Sequence, residues 1–287
     1  MKQGLTRTTV ILIVLGVILF ADVVVFFDSA SGFLAGNALW RYLLFALGLV
    51  SIWLFSRARS KTVSGAAVPV SRVKTAAAAA SAVSAFYSIF IVIFSAMGIN
   101  DAPAGHHSTP FTQALDAMGD VACAVLFLGM AVWLFVIARR FLSETNSVSA
   151  NTLLLSGCVV LIGPIITLLR QAALRSVSSQ RLSILLPVLA MLFSLGFLMA
   201  FSRLLFADDE KNLRRVTFWG LSSFFFGVCL ALPQTLYLSF TQPYSLALLP
   251  QTVFSAGIGI LGLCTAQWEP SAALTAPASE PSNPERH

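Results

Sequence analysis

Eight separate stretches of this chain stay apolar over about the length of a bilayer-spanning helix, and no motif in the sequence constrains the fold as tightly. A transmembrane helix needs about 20 mostly apolar residues. The runs are Thr9 to Phe27, Leu39 to Phe55, Ala76 to Met97, Met118 to Ala138, Thr152 to Leu169, Leu182 to Ser202, Val216 to Leu238, and Tyr244 to Gln267. None alternates polar and apolar residues as a barrel strand does over about 10 positions, so the pattern predicts helices. The expected fold is all-α, a polytopic transmembrane helix bundle of about eight spans over residues 1–268, followed by a disordered cytosolic tail over 269–287. Composition agrees. The chain is 57% hydrophobic and 10% charged, whereas a soluble domain carries roughly 25% charged residues.

The basic residues set an expected orientation. Placing the N-terminus in the cytosol gathers Lys2, Arg7, Arg57, Arg59, Lys61, Arg72, Lys74, Arg139, Arg140, Arg203, Lys211, Arg214, Arg215 and Arg286 on that side, 14 of the 18 lysines and arginines. Both termini are therefore expected inside, under the positive-inside rule. Arg170, Arg175 and Arg181 break it, falling outside between the fifth and sixth spans. Making the fifth run re-entrant at Gly163 and Pro164 moves those three inward but sends five others out, so eight spans are preferred and seven are the alternative. The first run resembles a secretory signal, yet it exceeds the usual h-region of about 7 to 15 residues and reads as an uncleaved span. The loop from Ser56 to Thr75 is expected to lie against anionic lipid headgroups. Beyond Trp268 the chain is rich in proline, alanine and serine, including Pro270, Pro277, Pro281 and Pro284, a composition too polar to order itself.

The net charge of +6 is dispersed between apolar runs rather than gathered into a stripe, which argues against a nucleic-acid partner. Cys123, Cys158, Cys229 and Cys264 all lie within apolar runs with no CxxC pair, the pattern of buried free thiols rather than a disulfide framework or metal site. All four lysines lie outside the runs, which leaves no Schiff-base candidate in the last helix, and no HExxH, P-loop or GxSxG motif occurs. No cofactor is expected.

A few polar residues within the runs are the candidates for function. Asp22 lies inside the first run, where an ionisable group is costly and marks a pathway or a partner. Asp116 and Asp120, four residues apart, share a helix face. They are expected at a helix start capped by Ser108 or Thr109 with Pro110 in its first turn, where the helix dipole favours carboxylates. Asp101, His106 and His107 nearby offer a weaker metal or proton site, without a ligand spacing. Outside, Asp28, Asp101, Asp116 and Asp120 stand opposite Arg41, Arg170, Arg175 and Arg181, a set able to close or line a vestibule by pairing. The segment Leu232-Pro233-Gln234-Thr235 recurs as Leu249-Pro250-Gln251-Thr252. Each proline frees a backbone carbonyl at membrane depth and each glutamine can satisfy it or face a polar cavity, so the two copies are expected at similar depth and able to face one another. Gly257, Gly259 and Gly262, and the Ala and Ser run from Ala76 to Ala85, predict close helix packing.

Two functional expectations follow. One is solute or ion transport, with Asp22, Asp116, Asp120, Arg170, Gln234 and Gln251 lining a path. The other is a non-catalytic membrane sensor, scaffold or assembly partner in which the same residues pack and orient helices. An intramembrane enzyme ranks last, because no complete catalytic constellation is present.

Overall fold

Side chains that are apolar all round a helix must be covered by lipid or by other helices, and the backbone inside them must satisfy its own polar groups. The computed structural model answers both demands with helices. It describes residues 2–26, 38–60, 67–68, 71–97, 110–142, 150–173, 185–206, 210–241, 248–267 and 269–270. In chain order the elements are α1 (Lys2–Ala21), running into a π segment (Asp22–Phe26), α2 (Ala38–Ser60), β1 (Ala67–Val68), α3 (Ser71–Ala96), α4 (Pro110–Leu142), α5 (Ala150–Val160) and α6 (Ile162–Ala173). Then come α7 (Leu185–Phe206), α8 (Glu210–Phe224), a second π segment (Phe225–Ala231), α9 (Leu232–Thr241), α10 (Leu249–Thr265) and β2 (Glu269–Pro270).

Among the described residues six helices are long and apolar enough to cross a membrane: Thr8–Phe26, Leu39–Ala58, Val73–Phe94, Gly119–Leu142, Leu185–Leu204 and Asn212–Phe240. Two further apolar helices are shorter, Leu155–Leu169 and Leu249–Thr265. The fifth run is thus interrupted, with the break at Leu161. Its cause is chemical: Pro164 has no N–H to give the carbonyl four residues back, that of Val160, where α5 ends. Helical bonding resumes on either side, with Leu161 N–H donating to the Gly157 carbonyl at 3.1 Å and Ile165 N–H to that of Leu161 at 3.4 Å.

The last of the described helices lies in the middle. α10 packs against α3, α7, α8, α9 and the second π segment. Its glycines permit this by letting backbones meet: an added Cβ at Gly262 would stand 2.5 Å from the Cα of Gly220, and one at Gly259 would stand 2.8 Å from the Cα of Phe224. At Gly257 it would run into the Ser84 hydroxyl. On α3, Ala77, Ala78, Ala80, Ser81, Ser84 and Ala85 are buried, so this small-residue stretch is an internal surface. α1 and α2 are peripheral; Val10, Ile13, Val17 and Phe20 on one, and Leu39, Leu43, Leu47 and Leu54 on the other, remain exposed at helical spacing, as a lipid-facing stripe requires.

β1 and β2 pair antiparallel, Ala67 opposite Pro270 and Val68 opposite Glu269. The start of the sequence expected to form a tail is therefore tied to the loop after α2. Residues 271–287 lie outside the described residues.

Candidate functional site

Asp22 begins the π segment that ends the first helix, and Arg41 lies in the first turn of the second. A helical side chain leans toward its own N-terminus, so Arg41 reaches back over the end of α2 to the closing turns of the first helix. There it binds Asp22 side-on: Nε donates to Oδ1 at 2.5 Å and Nη2 to Oδ2 at 2.7 Å. Asp22 is 5% exposed and Arg41 2%. Forked geometry of this kind satisfies both carboxylate oxygens at once. The Arg41 guanidinium also stands 5.4 Å from the centre of the Phe45 ring, one turn on.

From Phe45 an aromatic chain runs inward. Phe45 meets Phe225 and Phe226 edge to face, at 6.4 and 5.9 Å between centroids. Phe226 stacks on Phe193 at 4.7 Å, and Phe193 touches Trp219 at 5.7 Å. Phe225 and Phe226 open the second π segment, and Gly48 makes room for the first, since a Cβ there would stand 2.8 Å from the Phe225 ring. The segment has a readable origin in Pro233. Proline cannot donate to the carbonyl four residues back and crowds it, and a widened turn relieves the crowding. The Leu232 N–H accordingly donates to Gly227 O, five residues back.

The two Leu-Pro-Gln-Thr copies do meet, through their threonines. Thr235 Oγ1 and Thr252 Oγ1 are 3.2 Å apart, both buried. Because Thr252 gives its proton to the Leu248 carbonyl at 2.9 Å, Thr235 is the donor between them. The prolines are not equivalent, however. Pro250 is in the first turn of α10, where a missing N–H costs nothing, so only Pro233 disturbs a helix. Gln234 and Gln251 are half-buried, and Gln234 Oε1 has no hydrogen-bond partner among the described residues.

A seam of hydroxyls crosses the core beside this junction. Ser194 Oγ donates to the Ser255 carbonyl at 3.3 Å and so accepts from Ser223 Oγ at 2.8 Å, while Ser84 Oγ donates to the Ala80 carbonyl at 3.0 Å and lies 3.5 Å from that of Phe254. Hydroxyls in these roles join α3, α7 and α8 to the backbone of α10. Their partners are one another and backbone carbonyls, contacts that hold helices together.

The remaining expectations divide. α4 starts at Pro110 as expected, but Asp116 and Asp120 then fall beyond its first turn, where the helix dipole has faded, so the end-capping account of them fails. Asp120 is half-buried. The side chains of Asp116 and Arg170, and all of Asp28, Asp101, His106, His107, Arg175 and Arg181, lie outside the described residues. Arg41, expected to stand opposite those outer aspartates, pairs instead with Asp22. No group of three His, Cys, Asp or Glu among the described residues is placed to hold a metal ion. Sequence reasoning named Arg41 as an outer arginine able to pair with an aspartate but not Asp22 as its partner, and it passed over Phe45 and the bonds of the serine seam. One signal was available for Arg41: adjacent antiparallel helices put the end of one and the start of the next at the same depth.

No protein-family model, no curated protein and no solved structure matches this chain.

Proposed function

We propose that this chain is a polytopic protein of the cell membrane, with eight spans and both termini in the cytosol, acting as a non-catalytic sensor or assembly partner. One observation carries the functional half of this reading: the Asp22 carboxylate is engaged at both oxygens by Arg41, and both groups are sealed from the surface. A charge used in this way orients helices and is withheld from a passing ion. The test is flux through purified protein in liposomes, comparing wild type with Asp22→Asn for protons, sodium, potassium and chloride. The expected result is no flux above empty vesicles in either; Asp22-dependent flux would overturn the reading.

The strand pair supports the span count. β1 follows α2 and β2 follows α10, so their pairing calls for an even number of crossings between them. With α5 and α6 counted as one kinked crossing there are six, and a re-entrant fifth segment would leave five, with the strands on opposite faces. Lipid is the partner throughout, with anionic headgroups at the face bearing Arg57, Lys74, Arg139, Arg203 and Arg215.

A second reading, passage of a polar solute or ion, is favoured by one feature. Gln234 Oε1 is buried without a partner beside the Thr235 and Thr252 pair, as an oxygen reserved for a ligand would be. Gln234-dependent flux in the same liposomes would select it.

A further inference from the structure

We infer that the Asp22 and Arg41 pair is an electrostatic latch that fixes the second π segment, and through it the threonine junction between α9 and α10. This goes beyond either functional reading and holds for both. The latch and the junction are on different helices, and the groups between them are contiguous. Arg41 is held by Asp22 on one side and lies over Phe45 on the other. Phe45 rests on Phe225 and Phe226, the first two residues of the π segment. That segment leads directly into α9, which carries Thr235 only four residues past its end.

The π segment has a natural second arrangement, the α form. An α-helix turns by about 100° per residue, and a π turn by less, so a return of Phe225–Ala231 to α geometry would rotate α9 by about a quarter to a third of a turn. Thr235 would leave Thr252. Two features hold the wide form: Pro233 inside the helix, and the two phenylalanine rings set against Phe45, with Phe225 also against Gly48. Gly227 gives the segment its inner clearance, since a Cβ there would stand 3.0 Å from the Ser255 carbonyl oxygen. Coupling of this kind needs a two-state element that both sites bias, the part assigned here to the π segment.

The junction can be read directly by cross-linking. In full-length protein with Cys123, Cys158, Cys229 and Cys264 replaced by serine or alanine, Thr235→Cys with Thr252→Cys should form a disulfide efficiently on mild oxidation. Adding Asp22→Asn or Arg41→Gln should lower the yield by about tenfold, as expected when a conformation held by a buried pair is released, while Asp22→Glu should restore most of it. Phe45→Leu leaves the latch closed and removes the ring that transmits it, and should lower the yield likewise. Were either latch variant misfolded, Phe45→Leu would decide alone. A cross-link unchanged in folded Phe45→Leu, or in folded Asp22→Asn, would overturn the inference, because a pair that only stabilises the α1 and α2 hairpin would alter melting and leave the junction intact.

Discussion

At the scale of single residues the molecule turns on a charge placed where hydrocarbon would reject it. Desolvating a carboxylate and a guanidinium costs several kcal/mol each, and only close pairing with full hydrogen bonding offsets it. Asp22 and Arg41 achieve both, so removing one partner should be worse than removing the two together. Asp22→Asn and Arg41→Gln are each expected to destabilise the purified protein by about 3 to 5 kcal/mol. A double replacement by Leu and Met should recover much of that loss. Thermal unfolding in detergent measures it, and additive effects of the two single changes would show that the pair contributes nothing as a pair. The sequence marked Asp22 because an acid inside an apolar run is conspicuous. It also marked Arg41, two residues inside its run, as an outer arginine able to pair with an aspartate, but set it opposite Asp28, Asp101, Asp116 and Asp120 rather than Asp22. Pairing is a property of two helices at one depth, which no single run displays.

At the scale of elements the legible features were lengths and small residues, and the hidden ones were irregularities of helix geometry. The glycines of α10 were readable as packing positions, and the structure sets Gly262 on Gly220 and Gly259 on the backbone of α8. Gly262→Leu should therefore force α8 and α10 apart at about 1 to 3 kcal/mol or more, the range for overpacking. Gly16→Leu supplies the control: nothing lies within 4 Å of a Cβ there, on the exposed face of α1. Comparable losses of monodispersity in the two variants would count against the packing account. The two π segments were not readable in advance, although Pro233 gave a cue for the second. The interruption at Leu161 was foreshadowed by Pro164, whose neighbouring Gly163 lets α6 lie against Leu126 of α4. The paired Leu-Pro-Gln-Thr copies were legible as neighbours, but the bond between them runs through the threonines, which the sequence reading had not singled out.

At the scale of the whole molecule, apolar length alone anticipated a helical bundle, while the number of crossings depends on the two shortest apolar helices. α10 spans only Leu249–Thr265, and protein surrounds most of it. Reporter fusions after Ser60, after residue 145, after residue 180 and after Trp268 should report cytosol, cytosol, exterior and cytosol in turn. A fusion after residue 180 that reports cytosol would make the fifth segment re-entrant and break the parity that the strand pair supports. The central position of α10 also bears on how the protein is made. The helix that fills the middle is synthesised after α3, α7, α8 and α9, the neighbours it packs against. Before it arrives, the place it fills is walled by Ser84, Ser194 and Ser223 and by the bare backbone at Gly220, polar surface left for α10 to cover like the gap an arch leaves for its keystone.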